Sequence, residues 1–139
     1  MRLFVFSALL VGFAASALGQ AQSSLSEAPG SLEYGSVAEA MEAAKAMPGA
    51  VLSVTKPDGW VIVNEDGGKV VWSFTPEGNY AHPAVVRRAL TVSQSGDVRV
   101  ETRARCEARK EPCDRLIREF QEMNERIRQN IQQRFKQRQ

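Results

Sequence analysis

Two cysteines, a single histidine and a basic C-terminal run are the features of this 139-residue chain whose types and spacing could do chemistry. Cys106 and Cys113 carry the most specific signal. A redox-active pair usually sits as Cys-x-x-Cys at a helix start, whereas here six residues intervene. A structural zinc wants about four ligands, and His82 is the only imidazole in the chain. The pair therefore reads as a structural disulfide, with no metal and no cofactor. In the chain-entropy account, closing so short a loop stabilises by roughly 2–3 kcal/mol. That is a large share of a domain's total of about 5–15 kcal/mol.

His82 is also the one side chain able to titrate near neutral pH unaided. General-base work would need an orienting carboxylate and a nucleophile at hand. Glu77 and Ser73 are nearby in sequence, but their spacing matches no catalytic elbow or metal box. The neighbouring group Tyr80, His82, Arg87 and Arg88 is read as a ligand or partner contact, and no catalytic residue is assigned. At the other end, the last fourteen residues hold Arg126, Arg128, Arg134, Lys136 and Arg138 and no acid. Such a run could meet nucleic acid, anionic lipid or an acidic partner. It lacks interleaved Tyr or Trp on which bases could stack, which disfavours nucleic acid. Bases at a helix C-terminus also complement its dipole, so a solvated helix end is the plainer reading.

The elements that hold these residues follow an export signal. Met1 and Arg2 precede an apolar run over 3–18, which ends in Gly19-Gln20-Ala21-Gln22. A positive start, an apolar stretch and small residues at its end make a signal peptide over 1–19, cleaved after Gly19 or Ala21. The run of about 16 residues falls short of the roughly 20 that span a bilayer, which leaves an uncleaved anchor as the alternative. No later segment could span one. Export delivers the chain to an oxidising compartment, periplasmic or secreted, where the cysteine pair would close.

Residues 20–35 are rich in Ser, Gln, Gly and Ala and read as a flexible tether. One α+β domain is expected over 36–139. Ser36-Val37-Ala38-Glu39 has the form of a capping box, in which the Glu39 carboxylate would return to the Ser36 amide. Val37, Ala40, Met41 and Ala44 share a helical face, and Pro48-Gly49 ends the helix. Period-two stretches over 51–55, 60–64, 70–75, 84–92 and 97–106, separated by glycine turns, predict five strands. Trp72 and Phe74 share one face and should anchor the core. In the fifth strand Val98, Val100, Thr102, Ala104 and Cys106 alternate with Arg99, Glu101, Arg103 and Arg105, one face for the core and one for water. Pro112 suits a first helical position. Leu116, Phe120, Met123, Ile127, Ile131 and Phe135 then mark an amphipathic helix of roughly 24 residues, whose last turns should overhang the domain.

Several of these segments are familiar as a set. Pro57-Asp58-Gly59-Trp60, Val71-Trp72-Ser73-Phe74-Thr75-Pro76, Ala81-His82-Pro83-Ala84-Val85-Val86-Arg87-Arg88 and the Cys106 to Cys113 segment with Glu119-Phe120 resemble a family of small exported bacterial proteins with no assigned activity. The resemblance spans about residues 34–130 and implies a single exported domain with a paired cysteine. Some members carry a J-domain (DnaJ-type) chaperone label, which this chain does not support. Ala84 follows His82-Pro83 where a J-domain needs aspartate, and the flanks alternate with period two where it needs helices.

The expected architecture is α+β: a short helix, a five-stranded mainly antiparallel meander, and a long C-terminal helix packed on one face. Both helices should lie on the Trp72 and Phe74 side, leaving the arginine-rich face of the fifth strand to water. The expected function is a non-enzymatic binding module with a protein partner in the cell envelope. The alternatives are a small hydrolase or transferase using His82, and self-association through the 127–135 stripe. Protein recovered from the cell envelope or medium should begin at Gln20 or Gln22 and show no alkylatable thiol by mass spectrometry. An intact precursor in the cytosol with two free thiols would refute both parts.

Overall fold

A computed structural model of the chain describes residues 30–139. The export signal over 1–19, its cleavage points and the tether up to residue 29 lie outside the described residues. The alternating stretches form a six-stranded sheet: β1 (Gly30–Ser31), β2 (Val51–Val54), β3 (Val61–Glu65), β4 (Val70–Phe74), β5 (Ala84–Val92) and β6 (Val98–Cys106). From β2 to β6 each strand pairs antiparallel with the next, and the sheet order is β1-β6-β5-β4-β3-β2. The sixth strand is the unexpected one. β1 pairs parallel with β6, Gly30 opposite Arg103 and Ser31 opposite Ala104, and Leu32 beyond it is buried. Residues 30–35 thus belong to the folded unit, although their composition reads as tether. At the far edge β2 is exposed along its whole length, with Val51 63% accessible.

Helix α1 (Val37–Ala46) starts at Ser36, whose hydroxyl accepts from the Glu39 amide at 3.1 Å. The returning half of the box differs from expectation. The Glu39 carboxylate accepts from the Gly35 amide at 2.8 Å, one residue earlier than Ser36. Val37 instead donates its amide to the Glu107 carboxylate at 2.6 Å, so a residue just past the end of β6 satisfies one of the first-turn donors. The helix stops where Met47 turns extended before Pro48.

Helix α2 (Lys110–Gln137) is 28 residues long, about 42 Å at 1.5 Å per residue, and Pro112 is its third residue, not its first. Cys106 and Cys113 are disulfide-bonded with their Cα atoms 5.8 Å apart, which fastens the first turn of α2 to the end of β6. From that corner α2 runs back over β6. Leu116 and Phe120 are buried against Ala81, Ala84 and Val86, and Asn124 donates to the Thr102 hydroxyl at 2.8 Å.

The two helices lie on opposite faces of the sheet, which corrects the expectation that both share the Trp72 side. One core joins α1 (Val37, Ala40, Ala44) to Leu32, Val63, Trp72, Phe74 and Val85. The other joins α2 to Ala84 and Val86, the residues flanking Val85. Successive strand residues point to opposite faces, so a run buried on both sides shows no alternation. Ala84-Val85-Val86 is such a run, each residue fully buried. The arginine-rich face of β6 accordingly lies on the α1 side, with Arg87 of β5 directly opposite Arg103.

Nor do the last turns of α2 simply overhang. Phe135 reaches the β5–β6 turn and packs on Gly96, where an added Cβ would stand 2.5 Å from the ring and where φ is +88°. Gly96→Ala should therefore cost about 1–3 kcal/mol through overpacking and a left-handed backbone at a Cβ-bearing residue. Denaturant unfolding checks this; an unchanged midpoint would contradict the packing of Phe135 on the turn.

Candidate functional site

The residues expected to form one contact group are placed in four different environments. Tyr80, in the loop between β4 and β5, donates its hydroxyl to Glu119 of α2 at 2.5 Å. Arg115 lies over the Tyr80 ring, 4.2 Å from its centroid, and its Nε donates to Glu119 at 2.9 Å. This trio latches the loop to the long helix. His82 is exposed, with Nδ1 3.0 Å from the Thr75 carbonyl oxygen and 3.1 Å from the Thr75 hydroxyl. A carbonyl oxygen only accepts, so Nδ1 is the donor in that contact. The Thr75 hydroxyl is buried and bridges to β5, accepting from the Ala84 amide and donating to the Ala84 carbonyl. No carboxylate forms an ion pair with His82 among the described residues.

Arg87 and Arg88 are neighbours in β5 and so point to opposite faces. Arg87 lies over Trp72 on the α1 side, 5.4 Å from the ring centroid. Arg88 points to the α2 side and lies over Phe120 at 5.2 Å. One of its terminal nitrogens contacts the Met123 thioether at 3.1 Å, a weak acceptor, and its Nε is shielded from solvent without a hydrogen-bond partner. No acid pairs with Arg88 among the described residues. Burial lowers its pKa from the usual guanidinium value, although a guanidinium stays charged in proteins.

Arg88 borders two openings along the flank of α2. α2 covers β6 and the start of β5 and leaves the same face of β3 and β4 partly open. A cleft of about 300 Å³ lies there, walled by Trp60, Ile62, Leu116, Phe120 and Met123, with Arg88 among them and Thr55, Asp58, Ser73 and Glu119 completing the lining. Trp60 and Phe120 pack against each other on its wall, with centroids 6.0 Å apart and ring planes tilted by 58°. A smaller opening of about 180 Å³ continues on the other side of Arg88, toward Val71, Leu90, Lys69 and Ile127. An apolar hollow with a few convergent polar groups is the usual form of a ligand site. Of the expected contact residues only Arg88 belongs to it. Trp60 was missed, since its place at the start of a strand after Pro57-Asp58-Gly59 gives no sign of which face it joins.

A second hollow of about 420 Å³ opens on the α1 side beside Trp72, Tyr34 and Arg87. Its charges are balanced internally: Arg103 and Glu101 pair at 2.8 Å, and Glu33 also borders it. The basic end of α2 is only partly free. Arg128 is held by Glu125 and Gln132, whereas Arg126, Arg134, Lys136 and Arg138 are exposed. Among the described residues no three His, Cys, Asp or Glu side chains gather as a metal site, and no helix is long and apolar enough to cross a membrane. Comparisons of the chain with protein families, with curated proteins and with solved structures find no match.

The latch gives the site its pH dependence. Partial burial, then the hydrogen bond and charge of Glu119, push the Tyr80 phenol from 10.0 up to about 12. Glu119 moves down, chiefly because Tyr80 donates to it and then because of Arg115. The folded protein holds the phenol proton more tightly than the unfolded chain, so this contribution to stability is whole below about pH 10 and is lost as pH rises toward 12. One tyrosine should ionise near pH 12 by ultraviolet titration, and lower in Glu119→Gln. A protein with no phenol ionising clearly above 10.0 contradicts the latch.

Proposed function

We propose that the protein is an exported, non-enzymatic binding module whose contact surface is the open flank of α2 centred on Arg88. The signal-like start and the cysteine pair support export. The observation that carries the binding reading is Arg88: a largely desolvated guanidinium, set among Phe120, Met123 and Trp60, that forms no ion pair among the described residues. Desolvating an ion costs several kcal/mol, and a cation–π contact returns about 0.5–2. A side chain kept at that expense beside an apolar cleft is the pattern of a residue retained for what it binds.

Two other readings have less support. Hydrolase or transferase chemistry at His82 would need a carboxylate to orient the ring, and its Nδ1 is already turned to the Thr75 carbonyl. Self-association through the 127–135 stripe would have to draw on Phe135, which packs on Gly96. Arg88→Met should fold with an unchanged or higher unfolding midpoint, because an apolar side chain of similar reach removes the desolvated charge. A loss of more than about 1 kcal/mol in denaturant unfolding would make Arg88 a structural residue and remove the main support for this reading.

A further inference from the structure

The reading of the α2 flank as a contact surface can be deepened to a ligand class, and the deeper statement rests on it. We propose that the cleft takes a monoanionic amphiphile, an unbranched apolar chain ending in one carboxylate, with the acid on Arg88 and the chain along Trp60, Ile62 and Phe120.

Three observations point to that class. The first is charge. Arg88 presents a guanidinium whose one hydrogen-bond acceptor is a thioether, and a planar carboxylate matches the two-pronged geometry that guanidinium groups bind best. The second is the rest of the wall. Trp60, Ile62, Leu116, Phe120 and Met123 offer mostly carbon and sulfur surface, with the Ser73 hydroxyl beside them. The Thr55 hydroxyl is already engaged by the Trp60 amide at 3.0 Å. A peptide backbone laid there would leave most of its amides unmatched at a cost for each, whereas an alkyl chain has none to satisfy. The third is the rim. Asp58 and Glu119 are exposed at the edge of the cleft, and Glu119 already serves Tyr80 and Arg115. Two carboxylates at the mouth repel a second negative charge, so the ligand carries its acid at one end only.

The test titrates the purified protein with decanoate, 1-decanol and decanedioate below any micellar concentration, following tryptophan fluorescence, to which Trp60 and Trp72 both contribute, and calorimetry. The wild type should bind decanoate at least about tenfold more tightly than decanol, as expected for a charge-assisted hydrogen-bonded pair, and decanedioate more weakly than decanoate. Arg88→Gln should lose that preference while binding decanol as before, with thermal unfolding showing that the variant is folded. Equal binding of decanoate and decanol, or a preference that survives Arg88→Gln, overturns the acid recognition and leaves the flank as an apolar contact surface. A peptide with an apolar C-terminus and free carboxylate that binds more tightly than decanoate overturns the alkyl-chain assignment but keeps the role of Arg88. No binding of any of the four probes overturns both this inference and the reading beneath it.

Discussion

The disulfide between Cys106 and Cys113 fixes the start of α2 to the end of β6, and the residue that follows Cys106 carries the remaining attachments of the same corner. The Glu107 amide donates to the Pro83 carbonyl at 2.9 Å, which holds the entry of β5 alongside. Its carboxylate accepts from Val37 and so caps α1 on the opposite face of the sheet. A salt bridge to Arg105 at 3.7 Å steadies that carboxylate. Two consecutive residues thus set the position of both helices and of the central strand. A short covalent loop is worth about 2–3 kcal/mol by itself. Its larger consequence is geometric, because the angle at which α2 leaves the corner decides how much of β3 and β4 it fails to cover.

The uncovered part is where the cleft lies. α2 follows β6 back to Gly96, held in register by Asn124 on Thr102 and by Phe135 on the turn. Following β6 so closely, it leaves Ile62 and Ser73 bordering an open hollow with Trp60 and Arg88. Arg88 then stands between the helix and the free sheet surface, its guanidinium stacked on Phe120. The latch of Tyr80, Glu119 and Arg115 closes one end of α2 onto the β4–β5 loop and keeps Glu119 occupied, so it is not available to neutralise Arg88. Loop, helix and strand together produce a largely desolvated positive group in a mostly carbon-lined setting.

Much of this was legible in the residues and some was not. The five long strands, the two helices and the disulfide follow from period, turn residues and cysteine count, because those signals are local. The side of the sheet each helix takes is set by strand register, which is not local. Ala104 pairs with Val86 and Arg105 with Val85, so the apolar face of β6 is the one opposite Trp72. Ser73 and Thr75 show the same limit: they alternate with the aromatics as polar residues, yet they are 3% and 6% exposed. The unbroken Ala84-Val85-Val86 run was the available sign of a strand covered on both sides. At the candidate site, Arg88 stands out in the sequence together with Arg87, which adjacency in a strand alone sends to the other face. Trp60 joined the site only through the tertiary position of α2.

The coupling of both helices to one corner can be measured by amide hydrogen exchange on the oxidised protein and on the same protein with its disulfide reduced under native conditions. Loss of the bond should speed exchange in the first turn of α2 and, with it, at Val37 and the amides that follow in α1, since the Glu107 cap hangs from the same two residues. Faster exchange confined to α2, with α1 protected as before, would show that the helices are held independently and would contradict the corner as the common constraint.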